Sequence, residues 1–340
     1  MQKILTKTKV VGPAPIMMVL VLLIITFFLL SMNLGMIHLS PIELFQTLLG
    51  NGTDKQHMIL FDFRLPRIVI AVLVGMGLAV SGAIMQGISR NGLADPGILG
   101  INAGAGLAAV TVIFFTADNP QNVNAYVLPF AALFGAGAAA ALVYAFAWKQ
   151  GVTAKRLLLV GIAVGAGISA IMSLIMIKMR FYTHMLATIW LSGSLWGTNW
   201  TFVLAFLPWI FILLPLAIYK ARYLNVLNLG DEIATGLGTH VERQRLLMIA
   251  IAVALAGSCV AVGGGIGFLG LLGPHIARKL VSPNHKVLVP TAALAGGLLL
   301  LIADTIGKNI MAPYEIPVGI VVSAVGAPYF LYLLIKSKNV

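Results

Sequence analysis

Long apolar runs govern what this chain can fold into. Residues 16–31, 68–88, 157–177 and 316–335 contain no charged side chain. About 20 such residues, rising about 1.5 Å each, span the ~30 Å hydrocarbon core of a bilayer. In lipid the backbone must satisfy its own hydrogen bonds, and these runs are too long for barrel strands, so they predict a helical membrane protein. Composition agrees. The chain is 60% hydrophobic and 9% charged, where a soluble domain carries about a quarter charged residues.

The runs divide into ten predicted crossings, at about 16–33, 64–88, 96–117, 125–148, 156–179, 201–219, 244–262, 265–281, 287–306 and 316–335. The eighth is short and glycine-rich. The opening MQKILTKTKV has the outline of a signal peptide. However, its apolar run continues into SMNLGMIHLS without a small-residue cleavage site, so it reads as the first spanning helix. With the N-terminus inside, six of the 22 lysines and arginines fall outside: Lys55, Arg64, Arg67, Lys178, Arg180 and Lys308. The other sixteen, including Lys3, Lys7, Lys9, Arg90, Arg278 and Lys338, fall inside. The positive-inside rule thus predicts cytoplasmic termini. It also accounts for the net charge of +12 without nucleic acid. The one cysteine, Cys259, lies in an apolar run and supports neither a disulfide framework nor a metal cluster.

Part of the sequence is echoed further along. LAVSGAIMQ (78–86) and ADPGILG (94–100) resemble LAGSCVAVG (255–263) and LGPHIAR (272–278), at offsets of 177 and 178 residues. Each copy follows a basic pair, Arg64/Arg67 or Arg243/Arg245. Five crossings separate them, an odd number, so the copies enter the membrane from opposite sides. That predicts an inverted-topology repeat of helices 2–5 and 7–10, a transporter architecture.

Several chemistries are excluded. All ten carboxylates, from Glu43 through Asp118 to Glu315, fall at predicted helix ends or in loops. Intramembrane acids and bases mark ion routes, so their absence at mid-depth argues against a proton- or sodium-coupled carrier. There is no phosphate-binding GxxxxGK[ST] loop; GKN (307–309) lacks both the upstream glycine and the hydroxyl, so nucleotide hydrolysis belongs on another chain. SGSLWG (192–197) puts Ser194 ten residues from His184, but without the GxSxG elbow of a hydrolase. His275 and His285 lack carboxylate or thiol company and read as helix-end residues.

Two polar features remain open on the residues alone. RLPR puts Arg64 and Arg67 at the mouth of the second crossing, where they suit either a protein partner or snorkelling to lipid headgroups. LNLGDEIATGLG reads as a short helix with Asp231 and Glu232 in its first turn and a stop at Gly236 or Gly238. It is either a docking element or a connector on the membrane surface.

Together, RLPRIVIAVLVGMGLAVSGAIMQ, NGLADPGILG, LGDEIATGLG, GGGIGFLGLLGPHIAR and PVGIVVSAVGAPYFLYLL resemble the FecCD family. Its members are permeases of ABC importers for ferric siderophores, haem and vitamin B12. The resemblance covers about 16–336, in the family's order and spacing. It implies one permease domain over 1–340 in a bacterial inner membrane, with ten helices, no cofactor and no bound metal. The implied partners are a second permease, identical or paralogous, two cytoplasmic ATPases, an external binding protein that delivers a ferric siderophore, and membrane lipid. Haem or a cobamide is the alternative cargo, and a secondary carrier the alternative class. By the same resemblance Arg64, Arg67 and Lys308 face the binding protein. Leu229, Gly230, Asp231, Glu232, Ile233, Gly236 and Gly238 form the loop seated on the ATPase. Asn91 and Leu93 close the inner end of the pathway.

Overall fold

The computed structural model describes residues 12–35, 40–117, 126–149 and 151–337. Lys3, Lys7, Lys9, Asp118 and Lys338, used above in counting charges, lie outside the described residues. The described chain is all helical, with α1 over Pro13–Asn33 and α2 over Pro41–Leu48. Next come α3 (Asp54–His57), a π-helical turn Met58–Arg64, and α4 (Leu65–Ser89). A 3₁₀ turn, Pro96–Leu99, leads into α5 (Ile101–Thr116), then α6 (Val127–Ala147), α7 (Ala154–Ile177) and α8 (Phe181–Leu191). The rest is α9 (Trp200–Asn228), α10 (Asp231–Gly236), α11 (Val241–Gly263), α12 (Leu269–Leu280), α13 (His285–Asn309) and α14 (Val318–Ser337).

Each predicted crossing corresponds to a helix, yet among the described residues only eight spans are long and apolar enough to cross a membrane. The exceptions are the segments predicted at 96–117 and 265–281. There α5 has 16 residues and α12 only 12, and 12 residues rise about 18 Å. Both short helices follow a break in the chain. Arg90 (φ 50°) and Gly100 (φ 70°) bound the first break, and Gly264 (φ 69°) and Phe268 (φ 63°) the second.

This pattern is the structural form of the repeat. The order long, broken, short, long, long occurs twice, as α4–α7 and as α11–α14. The two leading helices pack on each other, and buried Ser81 Oγ donates to the Ala252 carbonyl at 2.7 Å. The breaks lean toward opposite ends of the bundle. The first follows the C-terminus of α4. The second bonds through Gly265 to Trp190, beside Gly193, which accepts from Gly319 on the side where Glu315 reaches the start of α4.

The α4 rod is the axis of the fold, with 78% of its apolar window buried, against 6% for α7. Small residues make that possible, because close approach of backbones is how helices gain packing energy in lipid. A Cβ on Gly82 would overlap the carbonyl of Gly270, whereas one on Gly165 meets nothing within 4 Å. Gly82→Ala is therefore expected to lower the melting temperature and detergent yield, at a cost of about 1–3 kcal/mol or more. Gly165→Ala should melt with the wild type. A Gly82→Ala protein as stable as Gly165→Ala would refute the tight seam between α4 and α12.

Candidate functional site

Polar side chains gather at the two ends of α4. At its start they form a buried ion-pair network. Arg67 donates to Asp304 at 2.9–3.2 Å and to Glu315 at 2.7 Å. Lys308 lies one turn beyond Asp304 on α13 and donates to Ser31 Oγ at 2.7 Å and to the Ser31 carbonyl at 3.0 Å. Arg64 donates to the Met32 carbonyl. These bonds tie the ends of α1 and α13, and the turn before α14, to the first turn of α4. Asp304 and Lys308 are only 1% and 6% exposed. A buried charge needs a partner: Asp304 has the Arg67 ion pair, and Lys308 is held by its two hydrogen bonds to Ser31.

The three cations predicted at one rim do come together. Arg64, Arg67 and Lys308 line a single cavity of about 250 Å³ with Glu315, Trp196 and Phe63. Sequence reading missed that Arg67 and Lys308 spend their hydrogen bonds inside the chain. The Asp304–Lys308 spacing of four residues suggests a local pair, but Asp304 pairs with Arg67 and Lys308 bonds Ser31. Arg67's acids lie 237 and 248 residues away, beyond any local pattern.

At the other end of α4 stand the elbow and α10. Gly230 (φ 109°) opens α10 and Gly238 (φ 77°) closes it, both in backbone that side chains rarely adopt. Between them, Leu229, Ile233 and Leu237 recur every four residues and are all more than half exposed. They form an apolar ridge directed away from the bundle. Ala234 faces inward and is buried. The two acids predicted to act together diverge. Glu232 is exposed, whereas Asp231 turns back to the bundle, where both its oxygens accept from Arg245 Nη2 at 2.9–3.0 Å and one also from Arg90. Partial burial raises the Asp231 pKa, but the Arg245 and Arg90 hydrogen bonds outweigh it and hold the carboxyl below its ordinary value.

The elbow residues have local tasks. Asn91 Oδ1 accepts from the Leu93 N–H at 2.9 Å, and the Asn91 carbonyl accepts from Ala94, so Asn91 folds the turn. Leu93 packs against the main core. Arg278 on α12 donates to Gln86 at 2.9 Å and passes close to Gly92. Elsewhere, Ser194 Oγ accepts from the Trp196 N–H while His184 lies against Thr188, so the two form no nucleophile–base pair. His285 Nδ1 meets Asn225 Oδ1 at 2.9 Å at the start of α13, as a helix-end residue should.

The model of the FecCD transport family matches residues 22–336. The chain belongs to that family. Among FecCD relatives, the iron(3+)-hydroxamate import system permease protein FhuG of Bacillus subtilis is 51% identical, over 98% of this chain and all of that protein. The hemin transport system permease protein HmuU of Yersinia pestis is 38% identical, over 94% of this chain and 95% of its own length. A metal-chelate-type ABC transporter solved in an inward-facing conformation superposes with a TM-score of 0.83 at 30% identity, covering 96% of this chain and all of that one. This FecCD chain is thus a multi-pass membrane permease.

Proposed function

We propose that the chain is the pathway-forming permease subunit of a binding-protein-dependent ABC importer for ferric siderophores, the hydroxamate class foremost. The observation that carries this is the end-to-end 51% identity to a permease named for iron(3+)-hydroxamate import. The subunit pairs with a second permease, identical or paralogous, and with two ATPases that power it from the cytoplasm. Both termini lie in the cytoplasm, by the distribution of basic residues, which puts α10 and the elbow inside and the Arg64 cavity outside.

Each end then has a task. Leu229 and Ile233, with Leu237 beside them, present the seat for an ATPase. Gly230, Gly236 and Gly238 shape it, Glu232 adds charge at its edge, and Asp231 anchors it. Asn91 and Leu93 close the inner mouth. Outside, Arg64, Arg67 and Lys308 outnumber Asp304 and Glu315 by one charge. That leaves a positive mouth which favours acidic side chains on an incoming binding protein and speeds their encounter.

The test is uptake by cells that express the whole importer. Radio-iron on a trihydroxamate siderophore should enter, continue in the presence of an ionophore, and stop when the ATPase is inactivated. Collapse with the ionophore alone would mark a secondary carrier and overturn the proposal. Haem is the second reading, on the 38% identity to a hemin permease. Entry of hemin without any ferric trihydroxamate would favour it.

A further inference from the structure

We infer that Arg90 is the link through which α10 moves the elbow at Asn91–Ala94, making it a positioning residue for the inner gate. This rests on the reading of α10 as the ATPase seat. Arg90 closes α4 with φ 50°, a left-handed conformation that a side chain other than glycine or asparagine rarely takes. Its guanidinium spans the joint between α9 and α10. Nε donates to the Leu227 carbonyl at 3.0 Å in the last turn of α9, and Nη2 donates to Asp231 at the first residue of α10. The next residue along the chain is Asn91, which folds the elbow through its bond to Leu93. One side chain therefore joins the seat to the turn without an intermediary.

Asp231 also binds Arg245 of α11, and comparing the two arginines shows which is the moving part. Arg245 is 11% exposed and bonds Glu242 and the Val152 carbonyl as well, so it is fixed in place. Arg90 is 42% exposed, facing a carboxylate that is 52% exposed. It can therefore be removed by substitution without stranding a charge in an apolar interior, whereas Arg245 cannot. The two arginines come from the leading helices of the two repeats, at the end of α4 and the start of α11. Displacement of α10 therefore passes to the first repeat through Arg90 while Arg245 holds the second.

The experiment uses the complete importer in proteoliposomes, with a ferric trihydroxamate as the probe. Its readouts are bound ATPase, ATP hydrolysis, and iron moved per ATP hydrolysed. Arg90→Gln should keep assembly and hydrolysis near wild type while iron per ATP falls about tenfold, within the usual range of coupling between sites. Arg90→Lys keeps the charge opposite Asp231 but not the reach to both acceptors, and should fall between the two. An unchanged iron-per-ATP ratio in Arg90→Gln, including one where uptake and hydrolysis fall in parallel, overturns the link. As a second measurement, with Arg90 intact and Cys259→Ser as background, spin labels at Leu93→Cys and Thr235→Cys should keep one separation as nucleotide is bound and hydrolysed. A separation that changes overturns the link even if Arg90→Gln fails to fold. Ile233→Asp separates the two ideas. If the ATPases stay bound, the seat is elsewhere and the link falls with it. If they are lost while the Arg90→Gln ratio is unchanged, only the link falls.

Discussion

Replacing Arg67 with methionine should cost about 3–5 kcal/mol, the usual penalty for stripping one partner from a buried ion pair. Asp304 is 1% exposed and takes its one direct ion pair and its side-chain hydrogen bonds from Arg67. Methionine fills similar space but leaves that carboxylate facing apolar atoms at the end of α13. Little folded protein should survive extraction, and what does should melt well below the wild type. Adding Asp304→Asn removes the stranded charge and should restore part of the yield. An Arg67→Met protein that melts with the wild type would refute this reading of the network. One practical consequence is that lost uptake in an Arg67 variant says little about docking. Arg64, which donates to the Met32 and Asn33 carbonyls, can be replaced without removing Asp304's ion-pair partner, and so tests the proposed docking contact separately.

The second large effect is expected at the α10 ridge. Ile233→Asp combined with Leu237→Asp should leave the permease folded, because both side chains are more than half exposed and bury little in the chain. It should remove the ATPases from the purified complex and bring uptake to background. Desolvated anchors at the centre of an interface are worth about 2 kcal/mol or more each, and a carboxylate there adds a charge that must be dehydrated. Full ATPase stoichiometry in the double variant would make α10 a connector and nothing more.

Much of this architecture was legible in advance, and the misses share a cause. Charge-free runs of about 20 residues locate helices because lipid admits little else, and every predicted crossing, even the short 265–281, contains a helix. Where a helix stops within the bundle was not legible. The starts of α5 and α12 depend on breaks folded against other segments: Gly265 bonds to the Trp190 carbonyl, and Asp95 caps Gly97. Arg64 and Arg67 stood out by residue type and position, and Lys308 only through the family resemblance, but the partners of Arg67 and Lys308, Asp304, Glu315 and Ser31, are joined to them only by the fold. At α10 the visible acids drew attention first. The four-residue recurrence of Leu229, Ile233 and Leu237 was equally visible, and only the bonds from Arg90 and Arg245 reveal that Asp231 faces the bundle while the leucines and isoleucine face away.

The glycine seams also decide which parts of the molecule can change shape. Along Gly82 and Gly270, and along Gly75 and Gly296, backbone lies against backbone with no side chain between. Such surfaces have no soft layer to deform, so α4, α12 and α13 cannot slide past one another without collision. At the flank, α7 touches the break at Ile98 through Gly161, while most of its length is open and Gly165 and Gly167 meet nothing within 4 Å. Any change of shape must then be carried by segments outside those seams, about a centre that keeps its form.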